Sequence, residues 1–258
     1  MGKKRLKGGE LFEGDYGCVV YPGLTEHIDT NRIVTKVFKN PGEKVKEERA
    51  NEIIQNFPND FIVKKVDDSV NINKNTEITN CKINTGQITT DYVSKNSISY
   101  EYLGKTFDKI FSKSDDETKE YIKALIDLCF KVIVMNSKGY SHGDVASRNI
   151  SFKDGKCYLI DIGSFEYNPG TVNYTDVTGI LKVIQSFPNI QNIITDEDDK
   201  ILLNYFSQRI RPNELESVKE FLEKTKRYSE FTIIPISAGR KRSYKKRSHK
   251  RKTHRRKR

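Results

Sequence analysis

The chain has 258 residues and a formal net charge of +11, but residues 240–258 hold 13 of its 46 Lys and Arg and none of its 35 Asp and Glu. The remainder carries 33 basic against 35 acidic residues, a balance of −2, which excludes a uniformly basic nucleic-acid-binding domain. With 35% hydrophobic and 10% aromatic residues, this near-neutral body is long enough for one large domain or two small lobes with real cores.

No stretch approaches the roughly 18 uncharged apolar residues of a membrane span, so no membrane association is expected. Met1-Gly2-Lys3-Lys4-Arg5-Leu6 leads into no apolar segment, so no secretory signal is expected, and Leu6 breaks the myristoylation pattern. Cys18, Cys81, Cys129 and Cys157 lack C-x-x-C spacing and are expected to be reduced thiols in a cytosolic or nuclear compartment.

In chain order, Leu11 to Tyr21 reads as an apolar stretch broken by Gly14 and Gly17, and Ile33 to Lys39 as a short β-branched strand. Glu43 to Phe57 reads as a helix stopped by Pro58. Phe61 to Val66 resumes strand character, 70–96 reads as a loop or peripheral hairpin, and Ser97 to Leu103 as a strand. The period then changes. Ile122, Leu125, Ile126, Cys129 and Ile133 fall at helical spacing, and Leu128 to Met135 is apolar almost all round, interrupted by Lys131. This predicts a buried central helix ending at Lys138-Gly139. Two strands follow, near Asn149 to Phe152 and Cys157 to Ile162, around the turn Lys153-Asp154-Gly155. Helices are predicted from Thr175-Asp176 to before Pro188, from Asp196 to Arg209, and from Asn213.

Five groups carry chemistry. Glu13-Gly14-Asp15-Tyr16-Gly17-Cys18-Val19 places two glycines three apart, where backbone N–H groups can approach a polyphosphate; a plain hairpin bend reads the same way. Lys36 shares a strand face with Val34 and Phe38, and calls for an anionic partner unless it snorkels at an edge. Ser141-His142-Gly143-Asp144 supplies a carboxylate on a polar turn, suited to accepting a hydroxyl proton. Asn149, and Asp161 at the end of an apolar strand before Gly163, offer oxygen ligands to a hard cation.

In this order, inside a strand-then-helix chain, these residues resemble the protein kinase-like superfamily over about residues 9–228. The resemblance implies an α+β, bilobal fold: a β-rich N-lobe over 9–103 and a helical C-lobe over 104–228. A connecting segment over 229–238 and a disordered basic tail over 239–258 would follow. It implies ATP and Mg2+ as cofactors. Gly14, Gly17 and Val19 would cover the nucleotide, with Phe12 where the family has its first glycine. Lys36 would hold the α/β-phosphates, oriented by Glu52, or by Glu48 one turn earlier. Glu101, Tyr102 and Leu103, within Tyr100-Glu101-Tyr102-Leu103-Gly104, resemble the hinge that holds adenine. Asn149 and Asp161 would bind the metal, Asp144 would act as base, and Arg148 would stabilise the transferring phosphoryl group.

The departures shape the expected acceptor. Gly143 stands where the family has the arginine that reads a phosphorylated activation loop. Asp176 resembles the aspartate opening the next family helix and follows Asp161 by only 15 residues, with no A-P-E motif between. These traits resemble atypical, RIO-like and viral kinases. Ala146 with Arg148 resembles the tyrosine-kinase pattern, although a serine/threonine acceptor on a protein substrate is the expectation. The alternatives are a kinase-like binding module without turnover and a small-molecule kinase, since His-Gly-Asp also occurs in the latter. Residues 240–258 are expected to meet nucleic acid or an import receptor, in the cytoplasm or nucleus. The Asn-, Ile- and Lys-rich composition and the basic tail together point by association to a large DNA virus, hence to a host cell or virion.

Overall fold

The structure, a computed structural model, describes residues 5–6, 9–14, 16–24, 30–55, 60–66, 90–110, 114–171 and 173–207. The helix expected from Asn213, the 229–238 segment and the basic tail lie outside the described residues.

A five-stranded antiparallel sheet runs in simple order: β1 (Arg5–Leu6), β2 (Gly9–Glu13), β3 (Gly17–Tyr21), β4 (Ile33–Phe38) and β5 (Ser97–Glu101). The β2–β3 turn closes with Gly14 N donating to Gly17 O at 2.8 Å. Register sets Val19 opposite Lys36, and Lys36 opposite Ile98. Between β4 and β5 lie α1 (Pro41–Ile54) and α2 (Thr90–Lys95). Helix α1 starts two residues before the expected Glu43, because Asn40 caps it through Gly42 N at 2.8 Å and Pro41 suits the first turn. Helix α2 falls in the segment read as a loop or hairpin; its Asp91–Lys95 pair, one turn apart at 2.9 Å, is a local signal that the polar composition masked. Phe61 to Val66 forms no strand. Ile62 bridges Leu159 while Lys65 bridges Tyr100, so the segment ties two sheets together instead of joining one.

The chain then turns helical. After β6 (Lys105–Thr106), α3 (Asp115–Ser137) is capped by Ser114 and ends at Lys138 with Gly139 at φ 84°. Its residues from Leu128 to Asn136 are buried without a break. Lys131 is among them, held by Asp60 at 2.9 Å and Asp127 at 3.0 Å. Strands β7 (Tyr140–Ser141), β8 (Ile150–Lys153), β9 (Lys156–Leu159) and β10 (Glu166–Tyr167) build two small antiparallel sheets, β6-β8-β9 and β10-β7. Asp154 and Gly155 both take positive φ in the β8–β9 hairpin, as a tight two-residue turn requires. Helices α4 (Thr175–Gln185), α5 (Ile190–Ile193) and α6 (Glu197–Ser207) complete the described chain.

The molecule is thus mixed α and β with small antiparallel sheets. One apolar cluster runs from Phe38, Ile54 and Ile98 through Leu125, Cys129 and Ile133 to Val177 and Ile180. Burial pushes the free thiols of Cys129 and Cys157 far up, which makes them inert core groups. Cys18 is disulfide-bonded, against the expectation of four reduced thiols; its partner lies outside the described residues. No helix among the described residues is long and apolar enough to cross a membrane.

Candidate functional site

Strand β4 carries Lys36 into the interior, where its ammonium meets two carboxylates: Glu47 Oε2 and Asp161 Oδ1, each at 2.6 Å. The Phe38 ring lies 5.2 Å from the same nitrogen. Burial pulls the Lys36 pKa down, but Glu47 and Asp161 together more than offset it, so the pKa ends above its ordinary value and the lysine is a cation. The partner on α1 is therefore Glu47, not Glu52 or Glu48. Glu47, Ala50, Asn51 and Ile54 form the buried stripe of α1 at helical spacing, which turns Glu52 to solvent and leaves Glu48 paired with Lys44 at 3.0 Å. The other oxygen of Glu47 accepts from Tyr100 OH at 2.8 Å. Asn51 Nδ2 donates to that hydroxyl at 3.0 Å. Burial raises the Glu47 pKa against the pull of Lys36, and burial beside Glu47 raises that of Tyr100.

Asp161 follows β9 and takes the left-handed conformation, φ 59° and ψ 66°. Few non-glycine residues do so without a functional or structural constraint. The short 3-10 turn Ile162–Ser164 begins just after it and packs on α1. A Cβ on Gly163 would sit 3.5 Å from Glu47 Oε2.

The loop between β7 and β8 brings Asp144 to the same place. Arg148 Nη2 donates to both Asp144 oxygens at 2.9 Å. Asn149 Nδ2 donates to Asp144 Oδ2 at 2.9 Å and to its backbone oxygen at 2.8 Å. Asn149 is itself buried and receives Ile160 N on its carbonyl at 2.9 Å, which couples this loop to the strand leading into Asp161. His142 is fully buried. Its Nε2 lies 3.0 Å from the Ile160 carbonyl, which can only accept, so Nε2 carries the proton and Nδ1 faces Asp144 N at 3.4 Å. Burial holds the His142 pKa below its ordinary value, against Asp176 first among its neighbours.

Beneath the loop, buried Asp176 collects four donors. They are His142 N at 2.7 Å, Gly143 N at 3.0 Å, Asn136 Nδ2 at 2.9 Å and Ser141 Oγ at 3.2 Å. Gly143 has φ 79°, and a Cβ there would lie 2.9 Å from Ser164 O. An arginine would be strained at this position.

Tyr16, Lys36, Glu47, Asp144, Asp161 and Ser164 line one cavity of about 110 Å3. That space suits the phosphate end of a nucleotide, well below the roughly 300 Å3 of a whole small-molecule site. The sequence-derived residues fare unequally around it. Lys36, Asp144 and Asp161 converge. Arg148 is spent on Asp144. Asn149 lies below the lining. Glu101, Tyr102 and Leu103 are not brought to the cavity: Tyr102 N is bonded to Arg32 O at 2.7 Å, Tyr102 O accepts from Lys153, and the Tyr102 ring stacks on Tyr21 at 4.3 Å. Val19 is half-buried on β3. Gly17 answers to strand packing, because a Cβ there would lie 2.4 Å from Val37 O; Gly14 has room, with nothing nearer than 3.6 Å.

The donor set fits a hard cation beside a phosphate. Asp161 Oδ2 and Asn149 Oδ1 take no hydrogen bond among the described residues, and both are oxygen ligands. No group of three or more His, Cys, Asp or Glu that could hold a metal by itself occurs among the described residues. Such a pair is suited to a metal that also leans on a substrate's phosphates. Sequence reasoning missed Glu47 and the Tyr100 hydroxyl. The buried stripe of α1 carried the signal for Glu47. The sequence matches no family model, and no curated protein is significantly similar to it.

Proposed function

We propose that this chain is an ATP- and Mg2+-dependent protein kinase that transfers the γ-phosphoryl group to a protein hydroxyl, Ser or Thr in preference to Tyr. The observation that carries this reading is the meeting of Lys36, Glu47 and Asp161 at 2.6 Å contacts in a cavity that Asp144 also lines. Phosphoryl transfer asks a protein for charge neutralisation and alignment more than for covalent chemistry.

In this reading Lys36, fixed by Glu47, holds the α/β-phosphates. Asp161 Oδ2, with Asn149 Oδ1 from outside the cavity lining, would hold Mg2+, which would supply charge neutralisation to the phosphates. Asp144 orients the acceptor hydroxyl and takes its proton as the hydroxyl oxygen bonds to the γ-phosphorus and the bond to the β,γ-bridging oxygen breaks. Arg148 keeps the Asp144 carboxylate turned toward the acceptor until substrate enters. Asp176 holds the loop's backbone N–H groups, so Asp144 is presented by a fixed turn.

The test is incubation of the purified chain with labelled ATP, Mg2+ and generic acceptor proteins, with phosphorylated residues mapped by mass spectrometry. Transfer that is lost in Lys36→Met and in Asp161→Ala is expected. Transfer that persists in both would overturn the reading.

The small cavity and the engaged Tyr102 N–H favour a second reading, a kinase-like binding module without turnover, anchored to nucleic acid by residues 240–258. Autophosphorylation that disappears in Asp144→Asn eliminates it.

A further inference from the structure

We propose that the cleft between the Gly143–Ser147 loop and α4 docks the acceptor chain, and that Lys182 selects acceptors carrying an anionic side chain about three residues from the target hydroxyl. This rests on the kinase reading and names its substrate class. The cleft measures about 530 Å3, and Asp144, Val145, Ser147, Thr178, Lys182 and Ser186 contribute to its lining. It is larger than the 110 Å3 cavity that Asp144 also lines.

The segment after Asp161 packs on β7 and not over the cleft. Strand β10 pairs with β7, Asn168 N donates to Gly139 O at 2.8 Å, and the Tyr167 ring stacks on Tyr140 at 4.3 Å. None of the described residues from 162 to 174 lines the cleft. Its floor is tight: a Cβ on Gly179 would lie 2.3 Å from Val145 O, so loop and helix touch there and the groove runs above them.

Charge then specifies the occupant. Both carboxylates in the lining are already engaged, Asp144 in an ion pair with Arg148 and a hydrogen bond from Asn149, and Asp176 by four neutral donors. Lys182 is exposed and has no ion-pair or hydrogen-bond partner among the described residues. Asp176 is also buried, and Asp144 is ion-paired with Arg148, so the unpaired charge that an incoming chain meets on this face of α4 is the Lys182 ammonium. Asp176 marks the catalytic end of α4, since it holds Gly143 N beside Asp144. Lys182 lies six residues on, about 9 Å along the helix. An extended peptide covers that span in about three residues at roughly 3.3 Å each. Hydroxyls embedded in basic sequence are disfavoured by the same charge, including Ser243, Ser248 and Thr253 of this chain's own tail.

The test uses the full chain with Mg2+-ATP and serine peptides in which Asp, Glu, phosphoserine or Lys is walked through every position around the acceptor. Wild-type protein should prefer an anion near the third position on one side. Lys182→Glu should lower kcat/KM for that peptide by up to about fivefold, the upper end for an exposed ion pair, and favour the Lys-substituted peptide instead. Lys182→Ala should erase the preference in both directions. A preference for phosphoserine or for Asp/Glu supports the proposal equally and identifies the source of the anion. Phosphorylation without positional preference, preferential use of the tail serines, or a preference unmoved by Lys182→Glu refutes it while leaving the kinase reading intact. No transfer from ATP to any peptide or protein removes both.

Discussion

Tyr100 OH donates to Glu47 Oε1 at 2.8 Å, so the carboxylate that orients Lys36 is held from two sides. The hydroxyl stabilises the charged form of a group whose burial favours the neutral one. Tyr100→Phe should therefore raise the Glu47 pKa further and shift the acid limb of nucleotide binding to higher pH. The lost hydrogen bond to a charged group should cost about 1.5–3 kcal/mol of stability. Binding of a fluorescent nucleotide across a pH series, with urea unfolding alongside, measures both. An unmoved acid limb would show that Tyr100 only packs.

The α1 partner of Lys36 gives a second contrast. Glu47→Ala removes one of the two carboxylates on buried Lys36, which keeps Asp161, and should cost about 1–3 kcal/mol. Glu52→Ala changes an exposed position and should stay within about 0.5 kcal/mol. Urea midpoints of the two variants decide it, and equal losses would contradict the geometry.

Much of this arrangement was legible in the sequence, for identifiable reasons. Lys36, on one strand face with Val34 and Phe38, read as a cation either paired with an anion or snorkelling at an edge, and its burial against Glu47 and Asp161 decides for the pair. Helix α3 announced itself through an apolar run too long and too evenly spaced for a strand. Glu47 did not stand out. Glu43, Glu47, Glu48 and Glu52 all lie on one polar helix, and only its phase against the core picks one. Strands β6, β7 and β10 are two residues long and exist through partners distant in sequence, so no local pattern could specify them. Gly14 and Gly17 read alike in sequence and differ in space: a Cβ on Gly17 would lie 2.4 Å from Val37 O, whereas one on Gly14 would lie 3.6 Å from Gly17 O.

That difference is testable directly. Gly17→Ala forces a Cβ to within 2.4 Å of Val37 O and should destabilise by about 1–3 kcal/mol through strain between β3 and β4. Gly14→Ala makes only an ordinary contact, 3.6 Å from Gly17 O, so its stability should change by no more than about 0.5–1 kcal/mol. If the β2–β3 turn covers phosphates, Gly14→Ala should still weaken nucleotide binding. Thermal unfolding with and without Mg2+-ATP separates the two effects.

His142 should leave a signature in the pH dependence of stability. Its folded pKa lies below the ordinary value of about 6.5, because burial disfavours the imidazolium despite Asp176, Asp161 and Asp144. The folded state then binds that proton less well than the unfolded state. The stabilisation is present above about pH 6.5 and is lost as pH falls toward the folded value. Glu47 works in the opposite sense: its raised folded pKa adds stability at low pH that fades as pH rises through it. Comparison of His142→Gln with wild type isolates the histidine. The urea midpoint of wild type should fall more steeply between about pH 7 and pH 5 than that of the variant. Parallel profiles would mean that His142 does not titrate differently in the two states.

The polycation at the end of the chain predicts a separable behaviour. Residues 239–258 hold Lys and Arg runs with no acidic residue and no aliphatic side chain, so they can neutralise phosphates without reading sequence. On duplex DNA each phosphate neutralised steepens log K against log salt concentration by about 0.9. The full chain should bind DNA or RNA with a steep salt slope and little sequence preference. Deletion of 239–258 should flatten that slope and leave ATP hydrolysis unchanged, because Lys36, Asp144 and Asp161 all lie in the near-neutral body. Anisotropy titrations at several salt concentrations measure the slope. An equal slope in the deletion variant would place any nucleic-acid contact on the body, where 33 basic residues are balanced by 35 acidic ones.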